Sequence, residues 1–182
     1  MNYLKERLNL FAQYMTQVDA NDLERLSRLI WERSQKGSKI IVAGNGGSAA
    51  IASHVSVDLT KFAGARAINF NEANLITCLA NDYGYERWLE KAIEFYAGKN
   101  DVVILISSSG ESMNIVNGAR KAKKMGLSVI TFSGFLSDNK LKKLGEINFW
   151  VNSKQYNVVE IVHLSWLLAV VDRVYELQSE TK

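Results

Sequence analysis

Apolar residues recur along the chain with two different spacings, which predict helices alternating with short buried strands. Over residues 1–16, Leu4, Leu8, Phe11 and Met15 lie three or four positions apart, as on one face of an amphipathic helix. Further helices are predicted at 21–37, from the glycine-rich loop 44–49 to about 62, and at 112–125, 136–144 and 156–177. Helical stretches separated by a polar break at 81–86 are predicted over 71–96. Continuous apolar runs predict five buried strands at 39–43, 66–70, 101–106, 127–132 and 147–151.

The second helix carries its own start and stop signals. Asn21 is the predicted N-cap, and Glu24 three residues later completes a capping box. Gly37 is the predicted end, because glycine accepts the left-handed conformation common at helix C-termini.

This order of elements predicts an α/β fold. Short apolar strands alternating with helices favour a parallel sheet covered on both faces. Right-handed crossovers then give a three-layer αβα sandwich, doubly wound around five strands, with extra helical structure at the N-terminus. No linker or repeat interrupts the pattern, so residues 1–182 are expected to form a single domain. Ligands of such sheets bind beyond the carboxyl ends of the strands, where the loops after the first and third strands lie.

The composition is that of a soluble globular protein, with 182 residues, 47% apolar, 23% charged and a net charge of +3. The two densest basic patches, 121–124 and 140–143, come late in predicted helices, where cations favour the helix dipole, so no nucleic-acid partner is expected. The single cysteine, Cys78, excludes an intramolecular disulfide and fits a reducing compartment. Its apolar neighbours predict a buried thiol.

The longest apolar tract, 158–171, bears on location and assembly. It contains Glu160, His163 and Ser165 and is too short to span a bilayer. A helix that is apolar nearly all round is buried, which in a chain of this size favours a subunit interface and a homo-oligomer. The N-terminus lacks the continuous apolar core of a signal peptide, so a cytoplasmic location without membrane contact is expected.

The densest chemical signal is the run 107–112, Ser-Ser-Ser-Gly-Glu-Ser, between the third strand and a helix. Unpaired N–H groups at a helix start are completed by an anion, and serine hydroxyls donate further bonds without adding charge. One serine would only cap its own helix. Four within six residues favour a phosphate site.

The loop 44–49, Gly-Asn-Gly-Gly-Ser-Ala, formally matches the dinucleotide motif G-x-G-x-x-A. The acid expected at the end of the second strand is missing, since 68–71 reads Ile-Asn-Phe-Asn, and no Gly-Lys-Ser/Thr ending makes it a Walker A loop. No nucleotide cofactor is therefore expected. A tight turn that uses glycine only for backbone freedom is the simpler alternative to a loop lining a polar ligand.

Titratable residues on two helices are further candidates. His54 and Asp58 share one helix face just beyond the glycine loop, as an ion pair, an acid/base pair or two metal ligands would. Glu160 and His163 share a face of the last helix in apolar surroundings, where a charge is costly without a partner, so a functional or interface role is favoured. The polar break 81–86, Asn-Asp-Tyr-Gly-Tyr-Glu, lies between helical stretches, where Asp82 alternatively serves only as an N-cap.

Taken in this order and spacing, the two loops, His54, Asp58 and the 81–86 segment resemble the sugar-isomerase (SIS) domain, and within it the phosphoheptose isomerases. The resemblance covers essentially the whole chain. It implies a flavodoxin-like αβα sandwich assembled as a homotetramer, with the helices of residues 1–36 contributing to oligomer packing. It also implies conversion of D-sedoheptulose 7-phosphate to D-glycero-D-manno-heptose 7-phosphate through an enediol, an early step towards bacterial lipopolysaccharide heptose.

The resemblance implies roles for individual residues. His54 and Asp58 occupy positions where the family places a His and a Glu that serve as metal ligands or catalytic base. The last helix would reach into a neighbouring subunit's site. The phosphate would be held by Ser107, Ser108, Ser109 and Ser112. The sugar would be lined by Asn45, Gly46, Gly47, Ser48, Asn81 and Asp82.

Three positions depart from the family. Asp58 is one methylene shorter than the usual Glu, Glu160 replaces a Gln, and Leu168 replaces a His used as general acid or zinc ligand. Glu160 compensates if its apolar site raises its pKa into the working range, so Asp58 and Glu160 are both candidate bases. Zinc held by His54, Asp58 and Glu160 is chemically acceptable, with His163 a further candidate. A non-catalytic phosphosugar-binding relative, such as a partner of the replication initiator, and an isomerase of another sugar phosphate are the alternative functions.

Overall fold

The computed structural model describes residues 2–180. The strands are β1 (Lys39–Gly44), β2 (Arg66–Ile68), β3 (Val102–Ser107), β4 (Ser128–Ser133) and β5 (Ile147–Trp150). The helices are α1 (Tyr3–Met15), α2 (Ala20–Gln35), α3 (Gly47–Lys61), α4 (Ala73–Tyr83), α5 (Trp88–Tyr96), α6 (Met113–Lys124) and α7 (Tyr156–Ser179), with a short 3₁₀ helix at Lys142–Leu144.

All five strands pair in parallel, in the order β2-β1-β3-β4-β5. This confirms the predicted α/β fold. The direction of winding reverses between β1 and β3, and a crevice forms at such a switch point beyond the strands' carboxyl ends. The glycine loop (residues 44–49) follows β1 and the serine loop (residues 107–112) follows β3, so the fold places both predicted loops beside this crevice.

The sheet is buried on both faces, which explains why its strands are continuously apolar rather than alternating. Ile40 and Val42 pack into one core with α2, α3 and α7, while Ile41 and Ala43 pack into the other with α5 and α6. Each fully buried Ile or Val contributes about 1.5–3 kcal/mol to folding. The helix α1 has no buried residue of its own and packs outside the first core, against α7.

The start of α2 differs from the prediction. Asp19 is the N-cap, and its Oδ1 accepts a hydrogen bond of 2.8 Å from the backbone N–H of Asn21. Asn21 therefore lies inside the helix, because an equally good capping residue precedes it. Glu24 completes no capping box and instead pairs with Arg28 and Arg173.

Two further predictions are corrected in the second half of the sandwich. The two helical stretches predicted on either side of the 81–86 segment are α4 and α5, and Gly84 ends α4 with φ +87°. Asp82, however, lies in the last turn of α4 and not at an N-cap. Cys78 is exposed rather than buried, since the buried residue of α4 is its neighbour Leu79.

The predicted helix at 136–144 is also wrong, except for the 3₁₀ turn Lys142–Leu144. The backbone before it bonds to the serine loop: Gly134 N–H donates to the carbonyl of Ser108, and Leu141 N–H donates to the carbonyl of Gly110. These long-range bonds replace the local ones that a helix would make. We call residues 134–141 the supporting segment.

The last helix, α7, is buried along most of its length, as its composition predicted. It packs against α1, α2 and α3. Within residues 2–180, no helix combines the length and the apolarity that crossing a bilayer requires.

Candidate active site at the carboxyl edge of the sheet

The glycine loop turns directly from β1 into α3. Gly44 has no room for a side chain, because a Cβ there would lie 2.6 Å from the Cβ of Ser48. Gly46 is the N-cap of α3, with φ +54°, and provides no side-chain cap for the helix. The first N–H groups of α3 are therefore free to bind a polar ligand. Ser48, a predicted sugar-lining residue, is itself buried.

The serine loop contains a buried hydroxyl without a partner. Ser107 and Ser108 are only 4% and 6% exposed, and the Oγ of Ser108 makes no hydrogen bond to any residue in the range 2–180. Leaving a buried polar group unpaired costs about 1–3 kcal/mol. Ser112, the N-cap of α6, also makes no side-chain bond to its helix. An unpaired hydroxyl beside an uncapped helix N-terminus fits an anion such as phosphate.

The other hydroxyls of the serine loop bond within it. Ser107 Oγ donates to Ser112 Oγ at 3.2 Å, and Ser109 Oγ accepts the N–H of Glu111 at 3.2 Å. Hydroxyl rotation lets each of these groups turn towards an arriving anion. The structure therefore brings all four predicted phosphate-binding serines into one loop.

Asn114 links the two loops, although the sequence analysis did not single it out. Its Nδ2 donates to Oδ1 of Asn45 at 2.8 Å, and Nδ2 of Asn45 donates back to Oδ1 of Asn114 at 2.9 Å. Asn114 is 3% exposed on the first turn of α6. A buried amide two residues after a cap is a weak sequence signal, because its partner lies 69 positions away.

His54 and Asp58 form the pair expected from their spacing on α3. Nε2 of His54 lies 3.0 Å from Oδ2 of Asp58. The imidazole is 51% exposed and the carboxylate 20% exposed, so this pair lies at the surface and not within the core. Asp58 therefore fixes the orientation of the His54 ring.

Glu160 reaches the glycine loop from α7. Its carboxylate lies so close to Gly47 that a Cβ at that position would collide with both oxygens. Within residues 2–180, no ion pair or hydrogen bond engages this carboxylate. An open cavity of about 550 Å³ beside it includes Gly47, His54 and Glu160 in its wall, and not Asp58. The remaining wall residues are Phe11, Ala50, Ile51, Asn157, Ile161 and Leu164.

A continuous series of contacts therefore connects the serine loop to a free carboxylate. Asn114 follows the serine loop and bonds Asn45, and Gly47, two residues after Asn45, contacts Glu160. The serine loop lies outside the cavity wall itself. The wall includes Phe11 of α1, which the sequence analysis had assigned only to an amphipathic helix.

The structure excludes His163 from the site. Its ring is fully buried between Phe132 and Trp166, and Nε2 lies 3.1 Å from the carbonyl oxygen of Ser133. Burial lowers the pKa of His163 to about 4, and Nδ1 has no partner within the described part of the chain. His163 is therefore a neutral core residue. Leu168, further along α7, is partly buried and brings no titratable group.

Asn81 and Asp82 are exposed at the end of α4. Nδ2 of Asn81 donates to Oδ1 of Asp82, and the Sγ of Cys78 lies 3.9 Å from Oδ2 of Asp82. These contacts stay within α4, so the structure does not join the two predicted sugar-lining residues to either loop.

The predicted zinc ligands do not assemble within one chain. Among residues 2–180, no three His, Cys, Asp or Glu side chains are grouped as a metal ion requires. His54 and Glu160 share the cavity, but His54 is engaged by Asp58. Zinc therefore stays a prediction from the resemblance.

Comparison with known proteins assigns the family. The family model described as SIS domain matches residues 2–134. The chain belongs to the SIS domain family. This family assignment agrees with the parallel sheet, with its switch point between β1 and β3, and with the loops that follow these strands.

The relatives indicate the phosphoheptose isomerase branch of this family, and a solved structure shows the same fold. A probable phosphoheptose isomerase of Thermoplasma volcanium is 32% identical over 168 residues, 87% of this chain and 85% of that protein. A phosphoheptose isomerase of Fusobacterium nucleatum is 30% identical and covers 92% of this chain and 94% of its own. The structure of a phosphoheptose isomerase from Francisella tularensis superimposes with a TM-score of 0.83 at 21% identity, over 97% of this chain and 100% of that one, and so shows the same fold.

Proposed function

We propose that this SIS-domain protein is an enzyme that isomerises D-sedoheptulose 7-phosphate to D-glycero-D-manno-heptose 7-phosphate. The observation that carries the proposal is the series of contacts from the serine loop, through Asn114 and Asn45, to Gly47 and the carboxylate of Glu160. It supplies an anion-binding end and a proton-accepting end along one edge of the sheet. The similarity to phosphoheptose isomerases over most of the chain supports the choice of sugar.

Phosphate binding at the serine loop orients the substrate. The N–H groups at the start of α6 and the unpaired hydroxyl of Ser108 bind the phosphate oxygens. With one end fixed, the open-chain sugar extends past Asn45 and the glycine loop. Such positioning replaces an encounter in solution by an intramolecular one, so the entropic cost of orienting the sugar is met when the phosphate binds.

Glu160 is the better candidate for the base that removes the proton next to the carbonyl. Its carboxylate borders the cavity and has no partner among the residues that the structure describes, whereas Asp58 is engaged by His54 and lies outside the cavity wall. Removing the proton gives an enediolate, and returning a proton to the adjacent carbon gives the aldose. The N–H groups of the glycine loop stabilise the developing oxygen charge.

The pair His54–Asp58 then carries the proton between the two substrate oxygens. Asp58 accepts a hydrogen bond from Nε2 of His54, which fixes the orientation of the ring. His54 and Glu160 both line the cavity. A protonated His54 can therefore donate a proton to a substrate oxygen while Glu160 transfers the proton at carbon.

One position, Leu168, favours the alternative function of a non-catalytic phosphosugar-binding protein. Leu168 supplies no proton at a position where the resemblance implies a His, and a non-catalytic phosphosugar-binding protein needs none. Glu160, two turns earlier on the same helix, places a titratable group on α7. This residue therefore supports the interpretation that the protein is an enzyme.

Assembly and cellular role complete the proposal. The protein is proposed to act as a cytoplasmic homotetramer that supplies heptose for surface lipopolysaccharide. Tyr3, Leu4 and Leu8 on α1 are 65–69% exposed, and α1 also borders the His54–Glu160 cavity through Phe11. An apolar surface continuous with the cavity supports a neighbouring subunit that closes the site.

Turnover in deuterated water tests the proposal. The protein is incubated with sedoheptulose 7-phosphate, and ¹H NMR follows the aldose and the deuterium it acquires at carbon 2. Glu160→Gln is expected to lower the exchange rate at least about a hundredfold, because it removes the base, and Asp58→Asn to lower it less. Binding without exchange or aldose would assign the protein to the non-catalytic class, and faster exchange with another ketose phosphate would change the substrate.

A further inference from the structure

The serine loop contains a carboxylate, that of Glu111, whose charge has the same sign as that of the proposed phosphate ligand. Glu111 lies between Gly110 and Ser112, and its backbone N–H donates to Ser109 Oγ. A negative side chain within an anion-binding loop repels a phosphate through space. A cation paired with Glu111 would offset this charge.

Lys140 contacts Glu111 in two ways. Its backbone N–H donates to Oε1 of Glu111 at 3.0 Å, and its Nζ lies 2.8 Å from Oε2. The pKa of Glu111 is lowered by these hydrogen bonds to Lys140, so the carboxylate is charged at neutral pH. Both carboxylate oxygens are thus occupied by the supporting segment.

The position of Lys140 is fixed by the backbone on either side of it. Leu141 N–H donates to the carbonyl of Gly110, and Asn139 packs so closely on Gly110 that a Cβ there would collide with it. Asn139 is itself 1% exposed. Lys140 is therefore attached to the serine loop and is not an arbitrary surface lysine.

We propose that Lys140 is a charge-compensating residue that sets the affinity of the serine loop for phosphate. Paired with Lys140, Glu111 adds no net charge beside the ligand. Without the ammonium, the carboxylate would remain held beside the loop by the backbone N–H of residue 140. The inference rests on the proposed function, because it takes the serine loop to be the phosphate site.

Four variants and the wild type separate the charges of this pair. The summed charge of residues 111 and 140 is zero in the wild type, negative in Lys140→Ala, positive in Glu111→Gln, and zero again in the double variant. Lys143, whose charge also lowers the pKa of Glu111, is present in all of them. Lys140→Arg retains the cation. Lys121→Ala is the matched control, since it removes the same charge and an ion pair to Glu94 at the other end of α6.

Dissociation constants for inorganic phosphate and for sedoheptulose 7-phosphate are measured by ³¹P NMR titration at low ionic strength. Lys140→Ala is expected to raise both dissociation constants roughly three- to tenfold, and Glu111→Gln is expected to lower both. The effects are of this size because the charges interact through space at partly exposed sites. The dissociation constants of the double variant should return to within about twofold of those of the wild type. Those of Lys140→Arg and Lys121→Ala should equal the wild-type values. The effect of Lys140→Ala should shrink in high salt.

Two results would overturn the inference. Equal affinity of Lys140→Ala and the wild type would show that the charge of Lys140 is irrelevant. A double variant as weak as Lys140→Ala would show that Lys140 acts on the phosphate directly and not through Glu111. Absence of phosphate binding by the wild type would contradict the proposed function instead. Thermal unfolding midpoints check that each variant is folded, and Glu111→Gln alone still tests the sign of the effect if Lys140→Ala does not fold.

Discussion

At the scale of single residues, the most informative atom is the Oγ of Ser108. It is buried and unpaired, so it destabilises the ligand-free fold while being available to a phosphate. A residue retained at a cost to folding is expected where the ligand supplies the missing partner.

Ser108→Ala should therefore separate stability from binding. The variant is expected to unfold at the same or a higher temperature, while its dissociation constant for sugar phosphates rises roughly ten- to a hundredfold, since a hydrogen bond to a charged group is worth about 1.5–3 kcal/mol. Thermal unfolding and ³¹P NMR titration measure the two quantities.

Ser56→Ala is the matched control for Ser108→Ala. Ser56 is also buried, but its Oγ donates to the carbonyl of Ser53 and accepts Nδ2 of Asn69. Its removal should cost about 1 kcal/mol of stability and leave binding unchanged. A Ser108→Ala variant that is destabilised like Ser56→Ala and binds normally would show that Ser108 is structural.

His163 predicts a pH dependence of stability. Its folded-state pKa is lowered to about 4 by burial, against 6.5 when unfolded. The unfolded chain therefore takes up the proton first, so stability is complete above about pH 6.5 and is lost as the pH falls towards 4. The loss attributable to this residue reaches about 3 kcal/mol.

His163→Leu removes this pH dependence without leaving a carbonyl unpaired, because Val151 N–H also donates to the oxygen of Ser133. Urea unfolding at pH 7, 5.5 and 4.5 should show a smaller decline for the variant than for the wild type. Equal declines would mean that the His163 imidazole takes up its proton in the folded state.

At the scale of elements, the contact between α7 and the start of α3 determines where the base lies. Gly47→Ala would place a methyl group where the carboxylate of Glu160 now lies. We expect kcat to fall at least about tenfold, because a displaced catalytic group loses its alignment, with phosphate affinity unchanged.

Gly98→Ala provides the comparison for Gly47→Ala. A Cβ at Gly98 meets no atom closer than 3.5 Å, so turnover should be unaffected. If Gly47→Ala retains the wild-type kcat, Glu160 has no positional role in the reaction. Loss of phosphate binding as well would show that the glycine loop itself had moved.

The elements also show what the sequence can and cannot predict. Local motifs indicated the two loops and the pair His54–Asp58, because their residues are close in the chain. The chain does not reveal that Asn114 bonds Asn45, that α7 brings Glu160 onto Gly47, or that His163 points inward, since each depends on packing between distant segments. The supporting segment shows the same limit, because its predicted helix is replaced by bonds to the serine loop.

At the scale of the whole molecule, α1 presents an apolar surface that folding of one chain does not cover. The double variant Leu4→Glu/Leu8→Glu should reduce the mass in size-exclusion light scattering to that of one chain, 20.4 kDa, because two buried charges per interface are costly. If a neighbouring subunit closes the cavity, turnover should fall together with the mass.

Phe95→Glu is the control for that assembly variant. Phe95 is 57% exposed on α5, on the opposite layer of the sandwich from α1. The same substitution there should leave the mass unchanged. If Phe95→Glu dissociates the protein and the α1 variant does not, the subunits assemble through the other layer.

The central claim is that the serine loop holds the phosphate of a heptose whose carbon chain leads to Glu160. A crystal structure with sedoheptulose 7-phosphate tests it most directly. The account predicts phosphate density within hydrogen-bonding distance of Ser108 Oγ and the first N–H groups of α6, with the carbonyl end of the sugar beside Glu160. Phosphate bound elsewhere, with residues 107–112 unoccupied, would contradict it.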